Sequence, residues 1–403
     1  MKLIKSKTML YIAAGLMIWI LLASACSTGI SIGRRAGTTP TATPVPGPTD
    51  QLTGLFAPFW QAWQLVHDKY VDQPIDDTAL MRGAIQGMME ALGDDHSLYL
   101  DPFQYKDATS RLQGEYEGIG AWVNLEGKYL TITEPIPGSP AEKAGLKTGD
   151  QIIAIDGADM TGILPELARR KVLGPKGTTV VLTILREGVD QPFDVEVTRA
   201  SISTPSVTSK MLDGSVAYIR LYNFGDTTTR ELRKALDDLL TQKPVGLILD
   251  LRNNGGGYLP TGIEVASEFI DKGVIVIEEF GDGTRKPYEA LSGGKAIQIP
   301  MVVLVNKFSA SASEIVAGAI QDYGRGKLVG ETTYGKGSVQ NWIPLMDDQG
   351  AVSITIAHWL TPDGRQINKL GLTPDVEVPL TDEDTQAEKD PQLDKALELL
   401  TQQ

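Results

Sequence analysis

Two apolar runs constrain the fold of this chain more than any other feature. Val245–Leu251 and Met301–Val305 are rich in β-branched residues and Leu, the composition of strands that are covered on both faces by helices. Each run is followed by a turn and then by a helical pattern, Thr261–Ile270 after the first and Ser311–Gln321 after the second. The sequence therefore predicts an α/β core, which we assign to residues 201–375.

The rest of the body differs from this core in composition and in hydrophobic period. Residues 51–111 repeat apolar side chains at spacings of three and four, which predicts a helical segment. Residues 112–200 change to short strands separated by Gly turns, and residues 376–403 are acidic and end in an amphipathic helix. The aromatics of the first region, which we expect to be buried in a small helical layer rather than to form a cofactor site, are Phe56, Phe59, Trp60, Trp63 and Tyr70.

The first 50 residues predict an export signal and a tether. Lysines precede an apolar run, Met9–Leu22, which ends in small residues; this is the order of a secretory signal peptide, residues 1–25. Cys26 follows directly and resembles the lipidated Cys of bacterial lipoproteins, so we predict lipidation there. Residues 26–50 are rich in Thr, Pro, Gly and Ser, as in an extended tether. Ordinary signal-peptidase cleavage and an uncleaved anchor stay open. All three interpretations place the body outside the cytoplasm, and lipidation or an uncleaved anchor would hold it at the cell membrane.

Composition excludes several classes of function. The 403 residues include 37 Lys and Arg against 51 Asp and Glu, a net charge of −14, which lacks the electrostatic footprint of a nucleic-acid binder. A single Cys cannot build a Cys-cluster zinc site, and three His leave little for metal ligation. We interpret Asp94-Asp95-His96 as a polar loop rather than as metal ligands. No metal and no cofactor are expected.

The second strand–turn–helix junction is a candidate for nucleophilic chemistry. Ser311 and Glu314 have the spacing of a capping box, which places Ser311 at the start of a helix. A hydroxyl there lies near the positive helix end and its free N–H groups, which can stabilise an oxyanion. A serine at this position is also a common structural cap. The residues alone do not choose among Ser309, Ser311 and Ser313 as the nucleophile.

A serine nucleophile needs a base, and Lys336 is the candidate in this sequence. A lysine acts as a base only when it is neutral, so burial must lower its pKa by about 3 units. Lys336 lies between two glycines, and Gln340 follows at an even separation, which puts both side chains on one face of a strand. The same stretch resembles a phosphate-binding P-loop, but Gly337 stands where that loop needs Ser or Thr. We therefore exclude the nucleotide-binding interpretation.

Residues 112–200 carry two features that indicate peptide binding. Gly118-Ile119-Gly120-Ala121 alternates Gly with apolar residues ahead of a strand. Consecutive N–H groups in such a loop can bind a terminal carboxylate, and the next strand can pair with the peptide. The stretch from Gly138 to Gly157 resembles a PDZ domain of the bacterial protease type. This resemblance supports the interpretation of Gly118–Ala121 as a peptide-binding loop.

Three motifs resemble those of the carboxyl-terminal processing proteases, a family of serine peptidases with a PDZ domain. They follow one another along the chain as Leu249–Gly257, Ser309–Gly318 and Gly335–Gln340. The resemblance implies an α/β multidomain fold: a helical N-terminal segment, and a PDZ domain, residues 112–200, inserted into the protease core. It also implies that Ser311 is the nucleophile, Lys336 the general base and Gln340 the residue that orients the lysine. The backbone N–H groups of Ala312 and Gly257 would form the oxyanion hole.

The function that the resemblance implies is an extracytoplasmic serine endopeptidase that cleaves proteins near nonpolar C-termini. Its PDZ domain would capture the substrate tail through Gly118–Ala121, and the helical segment and acidic tail would offer surfaces for a homo-oligomer. The sequence departs at one position, where Leu173 precedes Gly174-Pro175-Lys176-Gly177 and many members have Arg. A second hypothesis is a catalytically idle PDZ receptor for exposed C-termini. Retention of Ser311, Lys336 and Gln340 together argues against it.

Overall fold

The structure is a computed structural model that describes residues 50–381, 383–384, 387 and 389–402. The predicted signal peptide, the lipidation site at Cys26 and the tether to residue 49 lie outside the described residues. The helices bear the labels α1 Asp50–Leu55, α2 Ala57–Lys69, α3 Asp77–Glu90, α4 Pro102–Leu112, α5 Pro140–Lys143, α6 Pro165–Val172, α7 Thr228–Leu240, α8 Leu259–Ser267, α9 Ala312–Asp322 and α10 Pro391–Thr401.

The strands form two sheets in the core, a separate sheet in the PDZ-like region and a two-stranded ribbon. In chain order they are β1 Leu98–Leu100, β2 Glu115–Gly118, β3 Ala121–Asn124, β4 Leu130–Pro135, β5 Gln151–Ile155, β6 Ala158–Asp159, β7 Thr179–Leu185, β8 Phe193–Thr198, β9 Ala200–Ser203, β10 Val207–Leu212, β11 Val216–Leu221, β12 Gly246–Asp250, β13 Val274–Phe280, β14 Arg285–Glu289, β15 Met301–Val305, β16 Lys327–Gly330, β17 Ser338–Pro344, β18 Ala351–Leu360 and β19 Val376–Glu377.

The central sheet confirms the predicted α/β core. Its order is β10-β11-β12-β15-β16-β19, and all neighbours from β11 onward are parallel. Every residue of β12 and β15, which lie within the two apolar runs, is buried. One face packs on α7, α8 and α9, and the other packs on α10 through Ala396 and Leu400. Beyond residue 375, the predicted C-terminal amphipathic helix forms as α10, and the short strand β19 precedes it in the segment predicted to be acidic and polar.

The core contains a second sheet besides the central one. It contains β1-β18-β13-β14, and β17 pairs with β18. The strand β1 comes from the segment predicted to be helical and pairs antiparallel with β18, with Leu98 opposite Ser353. The N-terminal segment thus contributes a strand to the sheet that carries β17.

The PDZ-like region has its own sheet and its own hydrophobic core. Its sheet follows the order β3-β4-β5-β7-β8, with β6 paired to β5. Buried residues such as Ile132, Ile152 and Leu182 form a cluster separate from that of the central sheet. The chain enters this region through β2 and leaves it through β9, and these strands pair antiparallel. This topology, in which the chain enters and leaves through paired strands, is that of a domain inserted into the protease-like core.

The first two helices, α1 and α2, differ from what the sequence predicted. The prediction that their aromatic side chains are buried is wrong. The helix α2 contains no buried residue, and Trp60 is 59% exposed. The rings instead contact one another along the helix, with 5.1 Å between the centroids of Phe59 and Trp60. Among the described residues, no helix combines the length and hydrophobicity needed to cross a membrane.

Candidate active site

Ser311 immediately precedes α9, at the end of the turn that follows the buried strand β15. Its φ of 57° and ψ of −118° lie outside the regions that side-chain-bearing residues prefer, a strain of about 1–3 kcal/mol. Its N–H donates to Glu314 Oε2 at 2.9 Å, the glutamate half of the predicted capping box. The surrounding structure therefore holds Ser311 in an unfavourable backbone conformation at the mouth of a helix.

The three serines of this junction differ in what their hydroxyls do. Ser309 and Ser313 are fully buried. The Oγ of Ser309 donates to Leu251 O at 2.8 Å, and the Oγ of Ser313 donates to Asn254 O at 2.8 Å. Ser311 is only partly buried and lines a cleft. The geometry thus distinguishes Ser311 from its neighbours, a choice that the residues alone left open.

The glycine turn after β12 lies directly against Ser311. Gly256 has a φ of 97°, and a Cβ added there would lie 2.8 Å from Ser311 Cβ and 2.9 Å from Ala312 N. Asn254 is fully buried and accepts from the N–H of Gly256 and from that of Ala310. Only a glycine permits this approach. Asn254 therefore joins the turn after β12 to the turn that precedes Ser311 through hydrogen bonds.

Two backbone N–H groups stay unoccupied where these junctions meet. Those of Gly257 and Ala312 donate to no acceptor in the part of the chain that the structure describes. Both residues line the same cleft as Ser311. Paired free N–H donors beside a hydroxyl have the composition of an oxyanion hole.

Lys336 lines this cleft with Ser311 and is itself partly buried. Burial lowers the pKa of the Lys336 amine, while the carboxylates of Glu314 and Asp94 oppose that shift. Among the residues that the structure places, the Nζ atom of Lys336 has no hydrogen-bond or ion-pair partner. A desolvated amine without a counter-ion favours the neutral form that a base requires.

Glu314 holds the backbones of Ser311 and Lys336 together. It is fully buried and accepts four hydrogen bonds. Its Oε2 receives the N–H of Ser311 and of Lys336, each at 2.9 Å. Its Oε1 receives Thr333 Oγ1 at 2.6 Å and Gly335 N–H at 2.7 Å. Burial raises the pKa of Glu314, and these four donors oppose the rise. The capping-box spacing predicted Glu314 only as a helix cap, and its place three residues after Ser311 is the one local signal of this second role.

Gln340 lies on β17 and lines the cleft with Lys336. Its Nε2 donates to Ser338 Oγ at 2.9 Å and to Thr355 Oγ1 at 3.1 Å. The structure thus brings Gln340 to the cleft without a direct hydrogen bond to the lysine. Its role in orienting Lys336 stays a prediction.

Comparison with known proteins assigns the chain to a family. Sequence models match at residues 215–378 for peptidase family S41, at 131–186 for a PDZ domain, and at 45–103 for the N-terminal domain of the activating protease CtpB. The chain is 40% identical over 350 residues to a carboxyl-terminal-processing protease of Synechocystis, covering 85% of this chain and 82% of that protein. It belongs to the carboxyl-terminal-processing proteases of family S41.

A further relative and one solved structure are also similar to this chain. The carboxy-terminal processing protease CtpA of Bacillus subtilis is 39% identical over 323 residues, which cover 80% of this chain and 68% of that protein. A solved structure from Bacteroides fragilis, classed as an S41 protease, superposes with a TM-score of 0.53 at 18% identity, covering 85% of this chain and 97% of that one. That likeness shows the shared fold alone. The chain is a serine-type peptidase with a PDZ domain.

The cleft of this processing protease has a volume of about 680 Å³ and is lined by both polar and apolar residues. Besides the polar residues already described, aromatic and aliphatic side chains from α4, α8 and β17 surround it. Tyr105 and Trp342 meet edge to face, with 6.3 Å between ring centroids. The described residues contain no group of His, Cys, Asp and Glu side chains that could hold a metal ion. Apolar and aromatic side chains thus lie beside the serine and the lysine in this cleft.

The PDZ loop of the protease presents backbone rather than side chains. Ile119 is buried in the PDZ core, and Gly120 has a φ of 79°. The N–H groups of Ile119 and Gly120 have no acceptor among the residues described here. The strand β3, which begins at Ala121, is at the edge of the PDZ sheet. An unpaired edge beside free N–H groups can accept an extended peptide and its carboxylate.

The PDZ helix α6 contacts α4, which lines the cleft that contains Ser311. Arg169 pairs with Asp107 at 3.1 Å and with Glu166 at 2.7 Å, and these carboxylates raise the pKa of its guanidinium. Arg170 pairs with Asp101 at 2.8 Å. Leu173, which stands where many members have Arg, packs its side chain near Gly118. Two arginines before Leu173 thus join the PDZ domain to the helix beside the cleft.

Proposed function

We propose that this protease uses a Ser311–Lys336 dyad. In this mechanism the neutral amine of Lys336 accepts the hydroxyl proton of Ser311 as Oγ attacks the scissile carbonyl. The ammonium then returns the proton to the departing amine, and water hydrolyses the acyl-enzyme ester. The observation that carries the proposal is the joint position of the two residues in one cleft, with the amine partly buried and unpaired among the described residues.

The remaining site residues have supporting roles in this proposal. The N–H groups of Ala312 and Gly257 stabilise the oxyanion, since both are unoccupied donors beside Ser311. Gln340 orients the amine of Lys336 from β17, the strand that begins just after the lysine. These roles agree with those that the family resemblance implies.

We further propose that the substrates are proteins with apolar C-termini, captured by the PDZ domain. The backbone of Gly118, Ile119, Gly120 and Ala121 binds the terminal carboxylate, and β3 pairs with the residues before it. The division into a PDZ domain at 112–200 and a peptidase core at 201–375 belongs to this proposal. The negative net charge of the chain offers no support for a nucleic-acid partner.

The proposed location is outside the cytoplasm, at the membrane. It rests on the signal-like residues 1–25 and on Cys26, whose lipidation would anchor the body through the tether 26–50. Homo-oligomerisation through the helical segment is part of the same proposal. Exposed aromatics on α2 support it.

The test is cleavage of a protein that ends in an apolar tail. The full chain is expected to shorten it near the C-terminus, and Ser311→Ala and Lys336→Ala are each expected to abolish cleavage while peptide binding persists. Mass spectrometry of the products and binding of a tail peptide measure the two activities. Cleavage by either variant would contradict the dyad. Binding without any cleavage by the unmodified chain would instead favour a PDZ receptor.

A further inference from the structure

A chain of hydrogen bonds runs from the loop before β1 into the catalytic cleft. The carboxylate of Asp94 accepts Thr355 Oγ1 at 2.5 Å, and Thr355 Oγ1 accepts Gln340 Nε2 at 3.1 Å. Thr355 lies on β18 and Gln340 on β17, the strand that leads from Lys336. Three residues distant in sequence therefore connect a carboxylate outside the active-site motifs to an amide inside them.

The acceptor at the start of this chain fixes the direction of every bond that follows. An ionised carboxylate only accepts, so the Thr355 hydroxyl must give its single proton to Asp94. Thr355 Oγ1 can then only accept from the next group, which requires the NH₂ end of the Gln340 amide. The oxygen of that amide is left facing away from Thr355. It accepts no hydrogen bond from any residue within the described ranges.

We propose that Asp94 and Thr355 are positioning residues that set the orientation of the Gln340 amide, so that it presents its oxygen to the amine of Lys336. The proposal rests on the Ser–Lys dyad proposed above. A neutral amine that donates one N–H to this oxygen keeps its lone pair for the hydroxyl of Ser311. An amide turned the other way would present N–H groups to the amine and compete for that lone pair.

Asp94 is well placed for this role because its own loop is fixed to β18. Its Oδ2 also accepts Ser97 Oγ at 2.6 Å, and its Oδ1 accepts the N–H of His96 at 3.2 Å. Ser97 Oγ in turn accepts Thr355 N–H at 3.0 Å, and Ser353 Oγ donates to His96 O at 3.1 Å. The pairing of β1 with β18 continues this contact. The polar loop therefore forms a rigid support behind Gln340.

The charge of Asp94 gives the proposal a second, separable signature. Burial lowers the pKa of Lys336, and the charges of Glu314 and Asp94 oppose this effect. Burial and then the charge of Lys336 lower the pKa of the nearby His96. Removal of the Asp94 charge is expected to lower the pKa of Lys336 further. The acid limb of the rate profile, where protonation of Lys336 stops catalysis, should then move to lower pH.

The experiment compares Asp94→Asn and Thr355→Val with Thr355→Ser and Asp95→Asn in the full chain. Asp94→Asn can donate to Thr355 and so reverse the chain, while Thr355→Val removes it and Thr355→Ser retains the hydroxyl. Asp95→Asn removes one charge from the same loop at an exposed residue. The first two variants should lower kcat by about 10- to 100-fold, as small misplacements of reacting groups do. KM should be unchanged, and both controls should retain normal kcat.

The double variants with Gln340→Ala decide whether Asp94 acts through Gln340. In that background Asp94→Asn should cause no further loss of kcat, while the acid limb should still move to lower pH. Full additivity, or normal kcat in Thr355→Val, would overturn the proposal. Should Asp94→Asn fail to fold, as thermal unfolding would show, the Thr355 pair gives the same answer. Failure of the dyad itself is distinct, because Ser311→Ala would then cleave like the unmodified chain.

Discussion

The catalytic cleft and the PDZ loop are both built around free backbone N–H groups, but their surroundings differ. In the cleft the supporting polar groups, Glu314 and Asn254, are fully buried, and each accepts from several donors. At the PDZ loop, the adjoining β3 is an open sheet edge, with Trp122 57% exposed. The cleft thus surrounds its donors with buried polar residues, whereas the PDZ loop carries its donors on the buried residues Ile119 and Gly120 beside an open strand edge.

This difference follows from what each site must do. Proton transfer requires groups held in one geometry and partly removed from water, since solvation would stabilise the ammonium form of Lys336. Capture of a peptide tail requires an unpaired strand and an accessible anion site. We therefore expect changes in the cleft to act on kcat and changes at the loop to act on binding.

The largest expected effect is that of Lys336→Arg. A guanidinium stays protonated at all pH values where the protein is folded, so it cannot accept the Ser311 proton. The rate of cleavage should fall at least about 10³-fold, the scale of a lost general base. In the unmodified chain, activity should decrease as the pH falls through the lowered pKa of Lys336, because protonation removes the base. Initial rates across pH measure both. A rate that rises towards acid would contradict an amine base.

A smaller effect is expected for Glu314→Gln. The amide has one acceptor oxygen, so two of the four donors that Glu314 now satisfies would face an NH₂ group. Each buried donor left unpaired costs about 1–3 kcal/mol. The free energy of unfolding should therefore decrease, and kcat should fall because Ser311 and Lys336 lose their common support.

Glu268→Gln is the matched control for this variant. Glu268 is also fully buried and accepts from Arg233 and from the N–H of Lys295, but it does not line the cleft. Its replacement should lower stability without lowering kcat of the folded protein. Equal losses of kcat in the two variants would show that Glu314 contributes only stability. Urea unfolding and steady-state kinetics separate the two quantities.

Local sequence patterns predicted much of the fold and the motifs that carry the candidate site residues. The runs that became β12 and β15 are buried on both faces, and burial of that kind leaves a composition that can be read directly. The signals failed where tertiary context decides: β1 is three residues long and is a strand only because β18 lies beside it.

The supports of the site were harder to predict than its reacting groups. Ser311 and Lys336 stand in distinctive Gly- and Ser-rich motifs, whereas Asp94 and Thr355 are 261 residues apart and meet only in the folded chain. Periodicity likewise could not show that the aromatics of α2 are exposed, because an apolar helix face has the same spacing whether or not something covers it. Pairings across distant elements are properties of topology rather than of local sequence.

The smallest effect concerns the PDZ loop and uses a change in the substrate. Amidation of the C-terminus of a tail peptide removes the charge that the N–H groups of Ile119 and Gly120 are proposed to bind. A charged hydrogen bond contributes about 1.5–3 kcal/mol, so the Kd for the Ser311→Ala protein should rise by about 10- to 100-fold. For the active enzyme, KM should rise while kcat stays the same, because the cleft is unaltered. Fluorescence anisotropy and kinetics measure the two constants. Equal affinity for the acid and the amide would place substrate selection in the cleft rather than in the PDZ domain.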